Sequence, residues 1–177
     1  VVFGGRPLAL SEVENLADAI LYVWQPGTEG GNAIANLLYG RANPCGKTAM
    51  SFPRSTGQCP IYYNHFNTGR PKREDKPAVL GGSQYCSGYD DEYNSPLYPF
   101  GYGLSYTQFE YSDLKLSDEK MERSGKITAS VKVKNVGDRE GYETVQWYLH
   151  DEFASVVRPV KELKGFDRIF LKKGESR

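Results

Sequence analysis

One glycine-rich turn of this sequence carries the side chains best suited to binding a ligand. Trp24 ends an apolar run, and Glu29 stands just before a helical pattern that opens with Gly30 and Gly31. Open α/β folds bind ligands at the carboxyl ends of their strands, where such a turn would lie. Core packing of the indole and dipole stabilisation of the carboxylate are the favoured explanations of these two residues, and a place beside a ligand is the alternative. Trp24 and Glu29 are therefore candidates for positions beside a substrate, and neither is assigned a catalytic role.

The other chemistry-bearing residues form no pattern of a known catalytic, nucleotide or metal site. The glycines of the turn do not match G-x-G-x-x-G, and no Gly-Lys-Ser/Thr follows them. His65 and His150 have no patterned cysteine or carboxylate partner. The acidic stretch 90–92 lacks the ligand spacing of a calcium loop and is better explained as a solvated turn. We predict no catalytic residue, no metal ligand and no cofactor within this sequence.

Two short helices are predicted around the turn. Ser11 and Glu14 have the spacing of a capping box, which predicts a helix over residues 11–16. The second helix would run from the turn to about Tyr39, with Gly40 as its C-terminal glycine.

Apolar runs of strand length flank these helices. Residues 1–3 and 19–24 are two such runs, and residues 47–52 would supply the strand that closes the unit. Strand, glycine-rich turn and helix form half of a βαβ unit. The first part of the chain therefore predicts the end of a mostly parallel α/β sheet.

A β-sandwich of immunoglobulin or fibronectin type is predicted after residue 108. Residues 126–135 and 144–151 alternate strictly between apolar and polar, and residues 109–116 and 161–171 supply further strands. Such a sandwich needs about seven strands and ~100 residues, so we expect a partial one. The side chains predicted to point inward include Val131, Val133, Val145, Trp147 and Leu149.

A proline-rich arm and an aromatic strap separate the two parts. The stretch 53–96 has no period and contains the charged run 70–76, which is typical of a functional loop or of an arm wrapping another surface. Residues 97–107 (LYPFGYGLSYT) predict an extended strap that docks on another surface. The predicted domains are therefore 1–60 for the α/β part, 61–107 for arm and strap, and 108–177 for the sandwich.

Composition excludes several classes of function. Lys plus Arg equals Asp plus Glu, 22 against 22, so no nucleic-acid partner is expected. No apolar run reaches ~20 residues, so no membrane span is expected, and the first residues do not form a signal peptide. The three cysteines lack zinc spacing and favour free thiols in a reducing cytoplasm, with a periplasmic or secreted location left open.

Several motifs, in order and correctly spaced, resemble bacterial β-glucosidases of glycoside hydrolase family 3. Their second domain is similar to residues 24–33 (WQPGTEGGNA), 43–47 and 51–55, and the strap before their fibronectin type III-like domain is similar to residues 98–106. Residues 134–138 and 158–166 resemble the fibronectin type III-like domain itself. Residues 67–71 resemble the corresponding motif of the bacterial β-glucosidase branch. The resemblance covers nearly the whole chain.

The resemblance implies a retaining, exo-acting enzyme that acts on a β-glucoside or oligosaccharide by double displacement with two carboxylates. The nucleophile would lie on a TIM-like barrel domain missing here, and the acid/base residue would precede the stretch matching Val1. This chain would then be a non-catalytic, supporting portion. The alternatives are a carbohydrate-binding or structural β-sandwich module, and a β-xylosidase or N-acetylglucosaminidase of the same family. Formation of a homodimer is left open.

Overall fold

The computed structural model describes residues 1–71 and 85–177, and their contacts divide the chain into two compact units. Each unit is assembled from three separate stretches of chain. The charged residues 72–76 of the predicted arm lie outside the described residues. The first unit comprises Val1–Ile34, Lys47–Gly103 and Gln146–Phe166, and the second comprises Ala35–Gly46, Leu104–Val145 and Asp167–Arg177.

Helices come before strands along the described chain, and all four named strands follow residue 108. The described chain is thus all-β after residue 108, as the alternation of its sequence predicted, whereas before that residue it is helical and irregular. The elements, in order, are α1 (Ser11–Leu16), α2 (Gly30–Leu38), a single 3-10 turn (Thr56–Gln58), β1 (Phe109–Leu116), β2 (Ala129–Asn135), β3 (Gly141–Leu149) and β4 (Glu162–Leu171).

The predicted position of α1 is confirmed, but its predicted cap is wrong. Ser11 is the first helical residue and Leu10 occupies the cap position, with no side-chain cap bond. The Ser11 hydroxyl instead donates to the backbone carbonyl of Arg54, 2.8 Å away. Because the hydroxyl is engaged by a distant segment, it is not available to the helix N-terminus. Glu12 and Glu14 lie in the first turn, where the helix dipole stabilises carboxylates.

The second helix and its C-terminal glycine are confirmed. α2 ends at Leu38, one residue before the predicted end. Gly40 has φ +67°, and its N–H donates to the carbonyl of Leu37 at 3.0 Å. Glycine enters this left-handed conformation without the clash that a Cβ would cause.

The three strands predicted before residue 53 are wrong as strands, because the described residues form only isolated bridges there. Val2 pairs with Tyr22 in parallel, and Phe52 pairs with Tyr98 in antiparallel orientation. Trp24 has φ +52°, which ends the extended run that leads to it. Residues 47–52 take the aromatic strap as their partner, so they do not close a βαβ unit within the described chain.

The two named sheets have two strands each. β1 and β2 are antiparallel, with a bulge between Ser112 and Lys115. Asp113 within that bulge has φ +53°, which bends the strand locally. The far side of β2 pairs with the end of the chain, since Val133 and Arg177 exchange two backbone hydrogen bonds of 2.8 Å.

The predicted inward faces of the strands are partly confirmed. Val133 and Val145 are 2% and 6% exposed. Leu149 is 54% exposed, which contradicts the inward orientation predicted for it. It is the last residue of β3, where the ladder stops and the alternation no longer fixes which side is covered.

A buried asparagine organises the interior of the second unit. Asn135 is 0% exposed, and its carbonyl oxygen accepts from the Thr107 hydroxyl at 2.7 Å. Its amide donates to the backbone carbonyls of Arg139 at 2.7 Å and Leu171 at 3.1 Å. A buried amide is stable only when its donors and acceptors are satisfied, and here several separate segments satisfy it.

Candidate functional site

The turn that leads into α2 is held by its own backbone. Gly27 has φ +74°, and its carbonyl accepts the N–H of Gly30 at 3.1 Å. A Cβ at Gly30 would lie 2.7 Å from two ring carbons of Pro26, so only glycine permits this close approach. Turn geometry therefore accounts for these glycines without a bound phosphate.

Trp24 is a half-buried residue with an unusual backbone conformation. A φ of +52° is uncommon for a bulky residue. The indole meets the Tyr22 ring edge-on at 4.9 Å and the Phe52 ring at 5.6 Å. Its packing is that of a core aromatic residue at the margin of a cluster, with part of the side chain left accessible.

Glu29 precedes α2 and is exposed. Its Oε2 accepts a hydrogen bond of 2.7 Å from the side-chain amide of Asn32, and its carbonyl accepts from the N–H of Ala33. The positive end of the helix dipole stabilises a carboxylate there by about 0.3–1 kcal/mol. The structure thus places Trp24 and Glu29 at opposite ends of one turn, and Glu29 is the more accessible of the two.

Phe52 is the centre of an aromatic cluster in the first unit. It is 2% exposed, and its ring lies 4.8 Å from Tyr22 and 6.3 Å from Tyr98. Tyr98 in turn stacks on Tyr102 at 5.3 Å. Such pairs add about 0.5–1.5 kcal/mol each beyond the area that they bury. The cluster therefore fixes the position from which Trp24 projects.

Burial raises the pKa of Tyr98 to about 12, and a hydrogen bond with Glu14 acts in the same direction. The pKa of Tyr22 is also raised, mainly by burial, against the opposing influence of Arg6. Both phenols are thus neutral at ordinary pH, where they serve as hydrogen-bonding groups of the cluster.

The aromatic strap docks on residues 48–52, a partner that the sequence did not identify. The N–H of Thr48 donates to the carbonyl of Tyr102 at 2.7 Å, and the N–H of Phe52 donates to the carbonyl of Tyr98 at 2.8 Å. Gly101 has φ +80° and donates to the Thr48 carbonyl at 2.8 Å. The strap turns at this glycine, and the residues before the turn remain hydrogen-bonded to residues 48–52.

A buried glutamine holds the base of the arm. Gln58 is 1% exposed, its Oε1 accepts the N–H of Arg54 at 2.6 Å, and its amide donates to the carbonyl of Tyr93 at 2.6 Å. The Arg54 guanidinium lies 4.7 Å from the centre of the Tyr93 ring. The Gln58 side chain thus links the segment before the arm, at Arg54, to the later segment at Tyr93.

The start of the arm also contacts the last stretch of the first unit. Tyr63 stacks on Phe100 at 4.1 Å, and its hydroxyl accepts the N–H of Leu163 at 3.3 Å. The carbonyl of His65 accepts the N–H of Val160 at 2.9 Å. These contacts give the first residues of the arm a defined backbone path.

A cavity of about 800 Å³ opens beside this path, lined only by residues of the first unit. The sequence did not single out its lining residues as a site. The available signal was the density of aromatic, amide and hydroxyl side chains between residues 61 and 68. Among the lining residues are Tyr62, Phe66, Asn67, Thr68, Asn94 and Ser95.

The described chain offers no obvious metal or membrane-spanning element. Within residues 1–71 and 85–177, no group of three or more His, Cys, Asp and Glu residues is placed to hold a metal ion. In the same part of the chain, no helix has the length and apolar character to cross a bilayer. The three cysteines are free thiols.

Two family models match this chain. The model described as Glycosyl hydrolase family 3 C-terminal domain matches residues 1–106, which is more than half of the sequence. The chain belongs to glycoside hydrolase family 3. The model described as Fibronectin type III-like domain matches residues 143–177, so this family 3 chain carries both domain types in the predicted order.

Relatives match along the full length of this family 3 chain. It is 58% identical to a periplasmic β-glucosidase of Salmonella typhimurium over 177 residues, 100% of the chain and 22% of that protein. It is 41% identical to a β-xylosidase of Formosa agariphila, again over 100% of the chain and 23% of the relative. The chain therefore spans about a fifth of the length of the curated relatives that it matches.

A solved structure agrees with this assignment. The β-glucosidase of Listeria innocua in complex with isofagomine superposes with a TM-score of 0.90 at 46% identity, covering 99% of this chain and 24% of that one. A mutant of the same enzyme was solved in complex with laminaribiose. The similarity thus extends over almost all of this chain and about a quarter of that enzyme.

Proposed function

We propose that this chain is a supporting, non-catalytic part of a retaining, exo-acting β-glucosidase that hydrolyses terminal β-D-glucosyl residues. The observation that carries the proposal is the 58% identity to a periplasmic β-glucosidase across all 177 residues. Retaining enzymes use two carboxylates about 5–5.5 Å apart, one as nucleophile and one as acid and then base. We assign the nucleophile to a TIM-like barrel domain outside these residues, and the acid/base residue to the part of the second domain that precedes the stretch matching Val1.

The proposal includes a finer account of the architecture. Residues 1–60 form the end of a mostly parallel α/β sandwich domain, residues 61–107 form the arm and strap, and residues 108–177 form a partial fibronectin type III-like domain. The parallel bridge between Val2 and Tyr22 supports a parallel sheet, to which the rest of the enzyme adds strands. A homodimer stays a prediction, which sedimentation of the full-length protein would test.

The activity is tested by release of nitrophenol from an aryl β-glucoside. The full-length protein should hydrolyse the aryl β-glucoside. The 177-residue chain, with its mass verified, should not hydrolyse it. Turnover that follows the short chain through purification would contradict a non-catalytic role. No turnover by the full-length protein would reject the β-glucosidase itself.

A second candidate is β-xylosidase activity, because a relative of that name is 41% identical over the whole chain. Rates with aryl β-glucoside and aryl β-xyloside at equal concentration separate the two candidates. The 58% identity to a β-glucosidase leads us to expect the glucoside to be preferred.

Within this enzyme, Glu29 contributes to the wall beside the sugar, and Trp24 supports that wall from the aromatic cluster. The exposed carboxylate at the start of α2 supports this assignment. In the full-length enzyme, Glu29→Gln should raise KM for the aryl glucoside by about threefold to tenfold, the loss of one modest polar contact, and leave kcat nearly unchanged. Glu12→Gln, a matched change in α1, should alter neither constant. A fall in kcat alone would instead place Glu29 in the chemical step.

A further inference from the structure

The cavity beside the arm is separate from the turn that carries Trp24 and Glu29. Neither residue lines it, and all of its lining residues belong to the first unit. Among the described residues, its walls come from nine residues between positions 60 and 71 and five between positions 87 and 96, together with Ser51, Pro99, Val160 and Lys161. At about 800 Å³ it lies within the 300–1,000 Å³ typical of small-molecule sites.

The aromatic walls of this cavity retain uncovered ring surface. Tyr62 is 62% exposed, Phe66 is 58% exposed and Tyr89 is 36% exposed. Aromatic faces of this kind attract the apolar C–H surface of a flat ligand, and the tyrosine hydroxyl adds a polar tip.

The polar walls have hydrogen-bonding capacity to spare. The side chains of Asn67, Thr68 and Ser95 make no hydrogen bond to the described part of the protein. The Oδ1 of Asn94 accepts from the backbone N–H of Tyr89 at 3.0 Å, which fixes the orientation of this amide and leaves its NH₂ group for a ligand. Amides and hydroxyls act as both donors and acceptors, which is what a hydroxyl-rich ligand requires.

The charge of the lining narrows the class of ligand. Among the described residues, the lining includes one lysine and one histidine, Lys161 and His65, and no Asp or Glu. The Lys161 ammonium group lies 5.6 Å from the centre of the Tyr148 ring, which partly satisfies it. The described lining thus supplies aromatic rings and neutral hydrogen-bonding groups, whereas a glycosidase site requires a pair of carboxylates.

We propose that this cavity is an auxiliary binding site for a neutral saccharide, which it holds without cleaving. Sugar rings would stack on Tyr62 and Phe66 while Asn67, Thr68 and the Asn94 amide bond their hydroxyls. The proposal does not depend on the hydrolytic activity proposed above, since it concerns other residues and another readout.

The test is calorimetric titration of the full-length protein with cellobiose, in the presence of saturating isofagomine to occupy the catalytic site. One cellobiose should bind per chain. Tyr62→Ala and Asn67→Ala should each weaken that binding at least tenfold. Tyr39→Ala is the matched control, because Tyr39 is 81% exposed and does not line the cavity; it should leave cellobiose binding unchanged.

Each result either supports or overturns the proposal. Binding that survives both cavity variants, or that Tyr39→Ala weakens equally, would place cellobiose elsewhere. No binding in the presence of isofagomine would show that the cavity is not a saccharide site in the whole protein. Hydrolysis of the aryl glucoside, measured separately without isofagomine, distinguishes failure of this proposal from failure of the proposed activity.

Discussion

In the second unit, β1 and β2 share a ladder that runs from the Phe109–Asn135 pair to the Leu116–Ala129 pair. In the first unit, isolated bridges such as Phe52–Tyr98 stand where a ladder was expected. Side-chain hydrogen bonds link the segments of the first unit as well, because Gln58 and Thr48 donate to backbone carbonyls of distant segments.

This difference determines how each unit responds to mutation. A ladder distributes its stabilisation over many backbone bonds, so an exposed side chain on it can change at small cost. A unit held by a few buried side chains concentrates its stabilisation in them, and local opening begins where such contacts are lost. The second unit combines both cases, since its ladder ends at Asn135, whose buried side-chain amide is hydrogen-bonded to other segments of the unit.

The largest effect is expected at Phe52 in the first unit. Phe52→Ala removes the centre of the aromatic cluster and should lower the free energy of unfolding by about 4 kcal/mol. Hydrogen exchange of the full-length protein should show protection lost in residues 48–52 and 98–102 and retained in β2. Phe153→Ala, at a side chain that is 94% exposed, should change little. Equal loss of protection in both units would contradict the expectation that this cluster stabilises mainly the first unit.

The next largest effect is expected at Asn135 in the second unit. Asn135→Ala leaves the Thr107 hydroxyl and the carbonyls of Arg139 and Leu171 without their partner, at a cost of about 3 kcal/mol. Protection should fall in β2 and persist in residues 48–52. Asn32→Ala, at an exposed asparagine, should stay within about 0.5 kcal/mol. A similarly small effect at Asn135 would mean that the ladder alone holds this unit.

A smaller effect is expected at Tyr102, which is 39% exposed and stacks on Tyr98. Tyr102→Ala should lower the free energy of unfolding by about 1.5 kcal/mol through loss of the stacked pair. Its backbone bonds to Thr48 remain, so the strap should stay docked and the ratio of glucoside to xyloside hydrolysis should not change. Tyr102→Phe should retain most of the stability. An unchanged melting temperature with altered substrate preference would refute a structural role.

The smallest effect concerns alkaline pH. The pKa of Tyr98 is raised from 10.0 to about 12, mainly by burial, so the folded state retains this proton where the unfolded state has released it. Its stabilising contribution is therefore complete below pH 10 and is lost as the pH rises toward about 12. The urea midpoint should fall between about pH 10 and about pH 12, and Tyr98→Phe should reduce that fall. An identical fall in the variant would assign it to other groups.

Local pattern predicted the elements whose own sequence specifies them. Strict alternation located β2, and Gly40 marked the end of α2 because a left-handed residue there favours glycine. The helix at Ser11 was predicted from a capping interaction that the structure does not contain. Its position was right because the helical pattern was right, whereas the hydroxyl had a partner 43 residues away that spacing cannot reveal.

The sequence by itself determined the family, the order of the two domain types and most element positions, because these depend on motifs and on local periodicity. Tertiary structure alone decided that residues 48–52 pair with the strap, that Asn135 is the buried centre of four hydrogen bonds and that the arm surrounds a cavity. Each of these includes contacts between segments tens of residues apart, such as those of Asn135 with Thr107 and Leu171. Buried polar groups form hydrogen bonds with the groups that the fold places beside them. Local sequence patterns do not predict which distant residues these are.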